Sequence, residues 1–368
     1  MAKPLVADYI QNLTPYPPGK PIEELEREYG VRNSIKLASN ENALGPSPKA
    51  VEAIKAALGK LHRYPDGSGY YLKQGLSEKL GLSTENIVLG NGSNELIELI
   101  VRTFLNPGDE AISSDPTFLV YRKMVQAVGG RNIVVPLKEG SHDLVGIAKA
   151  VTARTKVIFL DNPNNPMGTV VVKKAFEQFL KDIPPGVIVV ADEAYYDFVT
   201  TDSTFCGLDY LDSPYLVITL RTFSKAYGLA GLRIGYGVMK KELAEYINRI
   251  RQPFNVNSLA QVGALAALSD EEHLAGTKKM VEEGLNYLTG EIGRLGYRCL
   301  PTQTNFFLID TKTDGKAVYE NLLRKGVIVR PMHAYKLPDY IRITVGLPAE
   351  NKRFLSAFKE VMESRGRQ

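Results

Sequence analysis

The sequence predicts an α/β protein: a large domain on a mainly parallel sheet covered by helices, then a smaller α+β domain. Three observations predict this. From about residue 86, short apolar runs alternate with amphipathic segments of helical length. Those runs are apolar throughout rather than at every second position, the pattern of strands buried on both faces. Past residue 262 the order changes to a long helical stretch and a second group of strands, and 368 residues suffice for two cores.

The elements follow in order. Residues 1–45 are rich in proline and turn formers, too few for a domain, and are expected to form an arm over the rest. Residues 46–262 make the large domain. In it "NIVLG" reads as a strand, followed by a helix through "SNELIELIVRTFL". "EAISS", "RNIVVPL", "KVIFLD", "GVIVVADEAY" and "YLVITL" are further strands, most of them separated by helical patterns. Residues 263–368 make the small domain, with strands at "YRCLP", "NFFLID", "GVIVRP" and "YIRITVG". Its last helix, near 350–363, sets Phe354, Leu355, Phe358, Val361 and Met362 on one face.

The bulk composition excludes several classes. Hydrophobic content of 44% and charged content of 23% are those of an ordinary globular protein. The net charge of +4 is small for this length, and no basic run alternates with aromatics, so a nucleic-acid partner is not expected. Cys206 and Cys299 stand alone, without a disulfide framework, and His62, His142, His273 and His333 are too scattered for a metal motif. The N-terminus has no apolar core of signal-peptide length, and no stretch approaches the ~18 apolar residues of a membrane span, which leads us to expect a cytoplasmic protein.

The motifs narrow the chemistry. In "TFSKAYGLAGLRIGY" (222–236) a lysine, Lys225, ends a buried strand among small residues, with Arg233 eight residues later. A solvated turn lysine is the ordinary alternative, but the glycines leave room for something bulky. "GNGSNE" (90–95) sits at a strand-to-helix junction whose N–H groups suit a phosphate, although Ser93 or Asn94 also suits a plain helix cap. "DNPNNPMG" (161–168) holds asparagines at a loop tip, and "VIVVADEAYYDF" brings Asp192 to a strand end, where ligands bind in open parallel sheets. An aspartate there also serves as a turn former. Together the set fits pyridoxal phosphate. Lys225 would take the aldehyde and serve as the proton-transferring base, and Asp192 would hold the pyridine nitrogen protonated. Asn165 and Tyr195 would stabilise the ring oxygen, with Arg233 and the 92–94 turn on the phosphate. Burial beside cationic groups should lower the Lys225 pKa.

At these residues the chain resembles the fold-type-I pyridoxal-phosphate aminotransferases. "LTPYPPGKPIEE", "LASNENALGPSP", "NPNNPMG", "DEAYYDF" and the lysine segment carry the resemblance, which runs over nearly the whole chain. "RYPDG", "GVIVRPM" and "YIRITVG" are similar to the histidinol-phosphate branch. The resemblance implies a seven-stranded sheet in the large domain and an arm that also touches a partner subunit. It implies Phe118 stacked on the cofactor ring, and Thr222 and Ser224 as hydroxyl partners of the phosphate. It also implies a homodimer in which Tyr64 reaches the other subunit's cofactor. Arg342 matches the arginine that forks onto the substrate anion, with Arg330, Tyr16 and Asn165 nearby; a solvated arginine and a packed loop tyrosine remain open for Arg330 and Tyr16. Ala43 stands where proline is commoner. The implied reaction moves an amino group between L-histidinol phosphate and 2-oxoglutarate. An aromatic amino-acid aminotransferase, a threonine-phosphate decarboxylase and a non-catalytic regulator of the same fold remain alternatives.

Overall fold

The computed structural model describes residues 5–15 and 19–365. Tyr16 therefore lies outside the described residues. Thirteen strands are described: β1 Ile35–Lys36, β2 Ile87–Gly90, β3 Glu110–Asp115, β4 Arg131–Pro136, β5 Thr155–Asp161, β6 Ile188–Asp192 and β7 Leu216–Thr222. They continue with β8 Gly235–Val238, β9 Arg298–Cys299, β10 Phe306–Asp310, β11 Val327–Ile328, β12 Arg330–Pro331 and β13 Tyr340–Thr344.

The principal sheet has seven strands in the order β2-β8-β7-β6-β5-β3-β4. Pairing is parallel from β7 through β6, β5 and β3 to β4, and β8 alone runs against its neighbours. The α/β class and the six strands expected between residues 86 and 220 are all present. β6 stops at Asp192, short of the run's end at Tyr195, because the chain turns there into a 3-10 helix over Tyr196–Phe198.

Alternate residues of the central strands enter opposite cores, which explains their unbroken apolar runs. Val157 and Phe159 pack with Leu96 and Ile100 of the helix Ser93–Phe104 on one face. Ile158 and Leu160 pack with Phe176 and Leu180 of the helix Lys173–Asp182 on the other. Full burial of each such side chain is worth about 1.5–3 kcal/mol.

β8 was not legible as a strand, because two of its four residues are glycine, a poor strand former. Gly235 has a steric reason to be there. A Cβ at that position would lie 2.7 Å from the Ser93 nitrogen, so only glycine lets β8 close against the start of the helix Ser93–Phe104.

The C-terminal part forms its own sheet, β12-β13-β10-β9, over a core of Phe307, Ile309, Ile341, Ile343, Phe354 and Phe358. "GVIVRP" divides: β11 pairs with β1 of the arm, and β12 pairs with β13. Leu25, on the helix Ile22–Tyr29, is buried with Leu323 and Ile328, so this helix is fastened to the C-terminal part of the molecule.

Candidate active site

The parallel strands β3, β5, β6 and β7 all end at one edge of the sheet. A cavity of about 760 Å³ opens there, in the position that doubly wound sheets favour for ligands. Phe118, Asn165, Asp192, Tyr195 and Lys225 line one part of it. Ser93, Asn94, Thr222, Ser224 and Arg233 line another. Ten of the predicted residues therefore share one space although they come from five separate segments.

Lys225 follows β7 on a tight turn in which the Ser224 N–H donates to Thr222 Oγ1 at 3.1 Å. Its Nζ donates to the Ser39 carbonyl at 3.1 Å and lies 5.7 Å from the centre of the Tyr195 ring. Burial lowers its pKa from 10.5 to about 8; Arg342, Arg233 and Lys36 push the same way, against Glu41. Part of the amine population is thus neutral near physiological pH, as a base or nucleophile requires.

Asp192 is buried at the end of β6. Burial raises its pKa to about 7 and the neighbouring Asp161 adds to the rise, while the Tyr121 hydroxyl, donating to Oδ2 at 2.7 Å, opposes it. The Ala194 N–H donates to Oδ1 at 3.2 Å. A cationic ring nitrogen beside this carboxylate would hold it ionised. Tyr195 is buried too, its hydroxyl pushed well above the usual phenol range by desolvation and accepting from Asn40 Nδ2 at 2.8 Å.

The other end of the cavity gathers donors that suit an anion. Gly92 caps the helix Ser93–Phe104 with φ of 80°, leaving the N–H groups of the first turn without helical partners. A Cβ on Gly92 would sit 2.4 Å from an Arg233 guanidinium nitrogen, so glycine is what lets the arginine lie against this turn. Arg233 itself adopts a left-handed φ of 57° and is pinned by the Ala230 carbonyl at 2.9 Å and Ser224 Oγ at 3.4 Å.

Arg342 does not line the cavity wall but reaches it through Asn165. Its Nη1 donates to Asn165 Oδ1 at 2.6 Å and its Nη2 to the Ala38 carbonyl at 3.0 Å. Since arginine only donates, Asn165 must turn its Nδ2 the other way. The Arg342 guanidinium lies 4.9 Å from the Phe306 ring centre, and its buried Nε has no hydrogen-bond partner among the described residues. Arg330 sits opposite Arg342 in the β12–β13 register, away from the cavity wall. Tyr64 is also apart from it, 83% exposed and stacked on Phe254 at 4.9 Å.

Sequence reasoning missed three residues. Asn40 holds Tyr195, Tyr121 holds Asp192, and Asp161 accepts from the Asn165 N–H at 2.8 Å. Tyr121 had a signal, since it falls one helical turn after Phe118. Asp161 begins the asparagine loop, and Asn40 lies in "SNEN".

Residues 32–358 match the family described as aminotransferase class I and II. The histidinol-phosphate aminotransferase of Desulfotalea psychrophila is 49% identical over 367 residues, covering 97% of this chain and 95% of that protein. Histidinol-phosphate aminotransferase 1 of Nitrosococcus oceani is 50% identical over 360 residues, covering 98% and 97%. Among solved structures, histidinol-phosphate aminotransferase from Sinorhizobium meliloti in complex with pyridoxal-5'-phosphate superposes with a TM-score of 0.90. It is 31% identical, with 99% of each chain covered.

Proposed function

The chain belongs to the class I and II aminotransferases, and on that premise we propose that it moves the amino group between L-histidinol phosphate and 2-oxoglutarate with pyridoxal phosphate as cofactor. The observation that carries the reaction type is Lys225 and Asp192 in one cavity, a half-buried amine with lowered proton affinity and a buried carboxylate with raised affinity. The choice of substrate is supported by near-full-length relatives at 49% and 50% identity.

The residues present fit the cofactor. The cradle that a Cβ at Gly92 would obstruct offers Arg233, Ser93 and Asn94, with the hydroxyls of Thr222 and Ser224, to a phosphate. Asp192 would meet the ring nitrogen, Asn165 Nδ2 and Tyr195 the ring oxygen, and Phe118 the ring face. When bound, pyridoxal phosphate supplies the aldehyde that takes up the amino group and the ring that accepts the electrons left by the departing Cα proton. Lys225 Nζ carries that proton, a role its lowered pKa suits near neutral pH. Asp192 would stay ionised beside a cationic ring nitrogen and would favour charge flow towards it. Arg342 receives the anionic end of the substrate, phosphate in one half-reaction and carboxylate in the other; its unpaired buried Nε supports this role. Arg330 and Tyr16 serve the phosphate.

A dimer that places Tyr64 at the partner's cofactor is supported by the exposure of Tyr64 beside exposed Leu61, Tyr70 and Tyr71. The division is an arm over 1–45, a cofactor domain over 46–262 and a small domain over 263–368. A cytoplasmic location goes with this reading; among the described residues no helix is long and apolar enough to cross a membrane.

The test is a panel of amino donors with 2-oxoglutarate, with carbon dioxide release followed in parallel. Histidinol phosphate should give the highest kcat/KM. Faster turnover of phenylalanine would assign the protein to aromatic amino acids, and carbon dioxide from threonine phosphate would make it a decarboxylase.

A further inference from the structure

Behind the cavity lies a second polar cluster that the reaction does not use. Ser114 Oγ lies 2.7 Å from His142 Nδ1, and His142 Nε2 lies 3.2 Å from Asp161 Oδ1 and 3.0 Å from the Asp161 carbonyl. The order serine, histidine, aspartate is that of a nucleophilic triad, but no substrate can reach this serine. Ser114 is 0% and His142 8% exposed, and of the three only Asp161 lines the cavity. The function of the cluster must therefore be read from what Asp161 holds.

Asp161 Oδ1 accepts from Thr117 Oγ1 at 2.5 Å and from Asn164 Nδ2 at 3.0 Å, and Oδ2 accepts from the Asn165 N–H at 2.8 Å. Thr117 immediately precedes Phe118. One carboxylate thus joins the turn after β3, which carries the ring-stacking aromatic, to the loop after β5, which carries Asn165. His142 reaches in from the segment after β4 and fixes both the carboxylate and the carbonyl of the same residue.

We propose that Ser114, His142 and Asp161 form a positioning relay that sets Phe118 and Asn165 against the cofactor cavity. His142 Nε2 faces only acceptors, so it carries a hydrogen. Nδ1 faces a hydroxyl, which donates to a bare nitrogen or accepts from a protonated one. The ring orientation is therefore held whichever of the two donates. Ser114 is in turn anchored by its backbone, whose carbonyl accepts from Arg122 Nη2 at 2.8 Å.

The proposal rests on the aminotransferase reading, and the test separates the two. Full-length wild type, His142→Ala, His142→Gln and His142→Asn are titrated with pyridoxal phosphate. Visible-region circular dichroism of the bound cofactor, kcat, KM and the thermal midpoint are also recorded. Glutamine can place a donor near the Nε2 position, whereas asparagine reaches only the Nδ1 position. His142→Ala should weaken cofactor binding roughly tenfold, as expected from one unmet buried acceptor, and change the visible dichroism. His142→Gln should restore most of both, and His142→Asn little.

Wild-type affinity and dichroism in His142→Ala would overturn the relay, as would equal losses in the alanine and glutamine variants, which would mean that the ring only fills space. Should His142→Ala fail to fold, Ser114→Ala is the milder probe. It should lose about two- to fivefold in affinity with unchanged far-ultraviolet dichroism, and no loss would overturn the relay. If wild type itself binds no pyridoxal phosphate, the functional reading falls and the relay with it.

Discussion

Replacing Lys225 with methionine should abolish turnover and yet stabilise the cofactor-free protein at pH 7. The folded-state pKa of about 8 lies below the ordinary 10.5, with burial the leading cause. Between those two values the unfolded chain binds more protons than the folded one, so stability rises with pH across that window. Below pH 8 the folded protein carries the full cost of the charged amine. At 1.36 kcal/mol per pH unit the gap is worth about 3 kcal/mol. Methionine also forfeits the hydrogen bond to the Ser39 carbonyl, a loss of about 1 kcal/mol. Lys225→Met should then gain about 2 kcal/mol at pH 7. The gain should shrink through pH 9 and vanish or reverse above pH 10.5. Urea denaturation of both proteins at the three pH values, with matching m-values, measures it. A variant no more stable at pH 7, or a difference that does not change with pH, would refute the account of Lys225 as a charge held against its environment.

Borohydride reduction of the cofactor-loaded protein followed by peptide mapping should find the pyridoxyl group on Lys225; a label elsewhere would remove it from the mechanism. Asp192→Ala should cost on the order of 100-fold in kcat while retaining most cofactor affinity, and near-normal turnover would cancel its assignment. Mixing inactive Lys225→Ala with weakened Tyr64→Phe subunits should create hybrid sites with both native residues, so recovery above the parental mixture is expected if Tyr64 crosses the dimer. Arg342→Ala should lose about one to two decades in kcat/KM in both half-reactions, whereas Arg330→Ala should lose mainly with histidinol phosphate. Equal losses for Arg330→Ala with both donors would leave it a supporting role only.

The central strands were legible because burial on both faces writes itself into the sequence as an unbroken apolar run. Val157 through Leu160 serve two cores at once. β8 carried no such signal, since Gly235 answers to a collision with Ser93, and Gly237 to the side chains of Met239 and Leu220, rather than to strand propensity. "GVIVRP" announced a strand but not that Val327–Ile328 and Arg330–Pro331 would join different sheets, because the choice of neighbour lies in distant segments. The site divided in the same way. Lys225, Asp192 and Arg233 could be proposed from the sequence because the proposed chemistry asks for those residue types, and the structure brings them to one cavity. Asn40, Tyr121 and Asp161 act on other side chains, and their meaning exists only once separate loops have met.

The strand order has a consequence for how the chain is made. β2 is the first strand of the seven to leave a ribosome, yet it sits at the sheet edge with β8 as its neighbour, and β8 is the last to be translated. β3 to β6 can assemble as their residues emerge, but β2 must wait, its hydrogen-bonding edge unmet, until residue 238 is free of the exit tunnel. The turn at Gly92, which Gly235 and Arg233 complete, waits with it. A nascent chain arrested before β8 therefore carries an exposed strand edge, a hazard for association with other chains, and cannot form the proposed anion cradle.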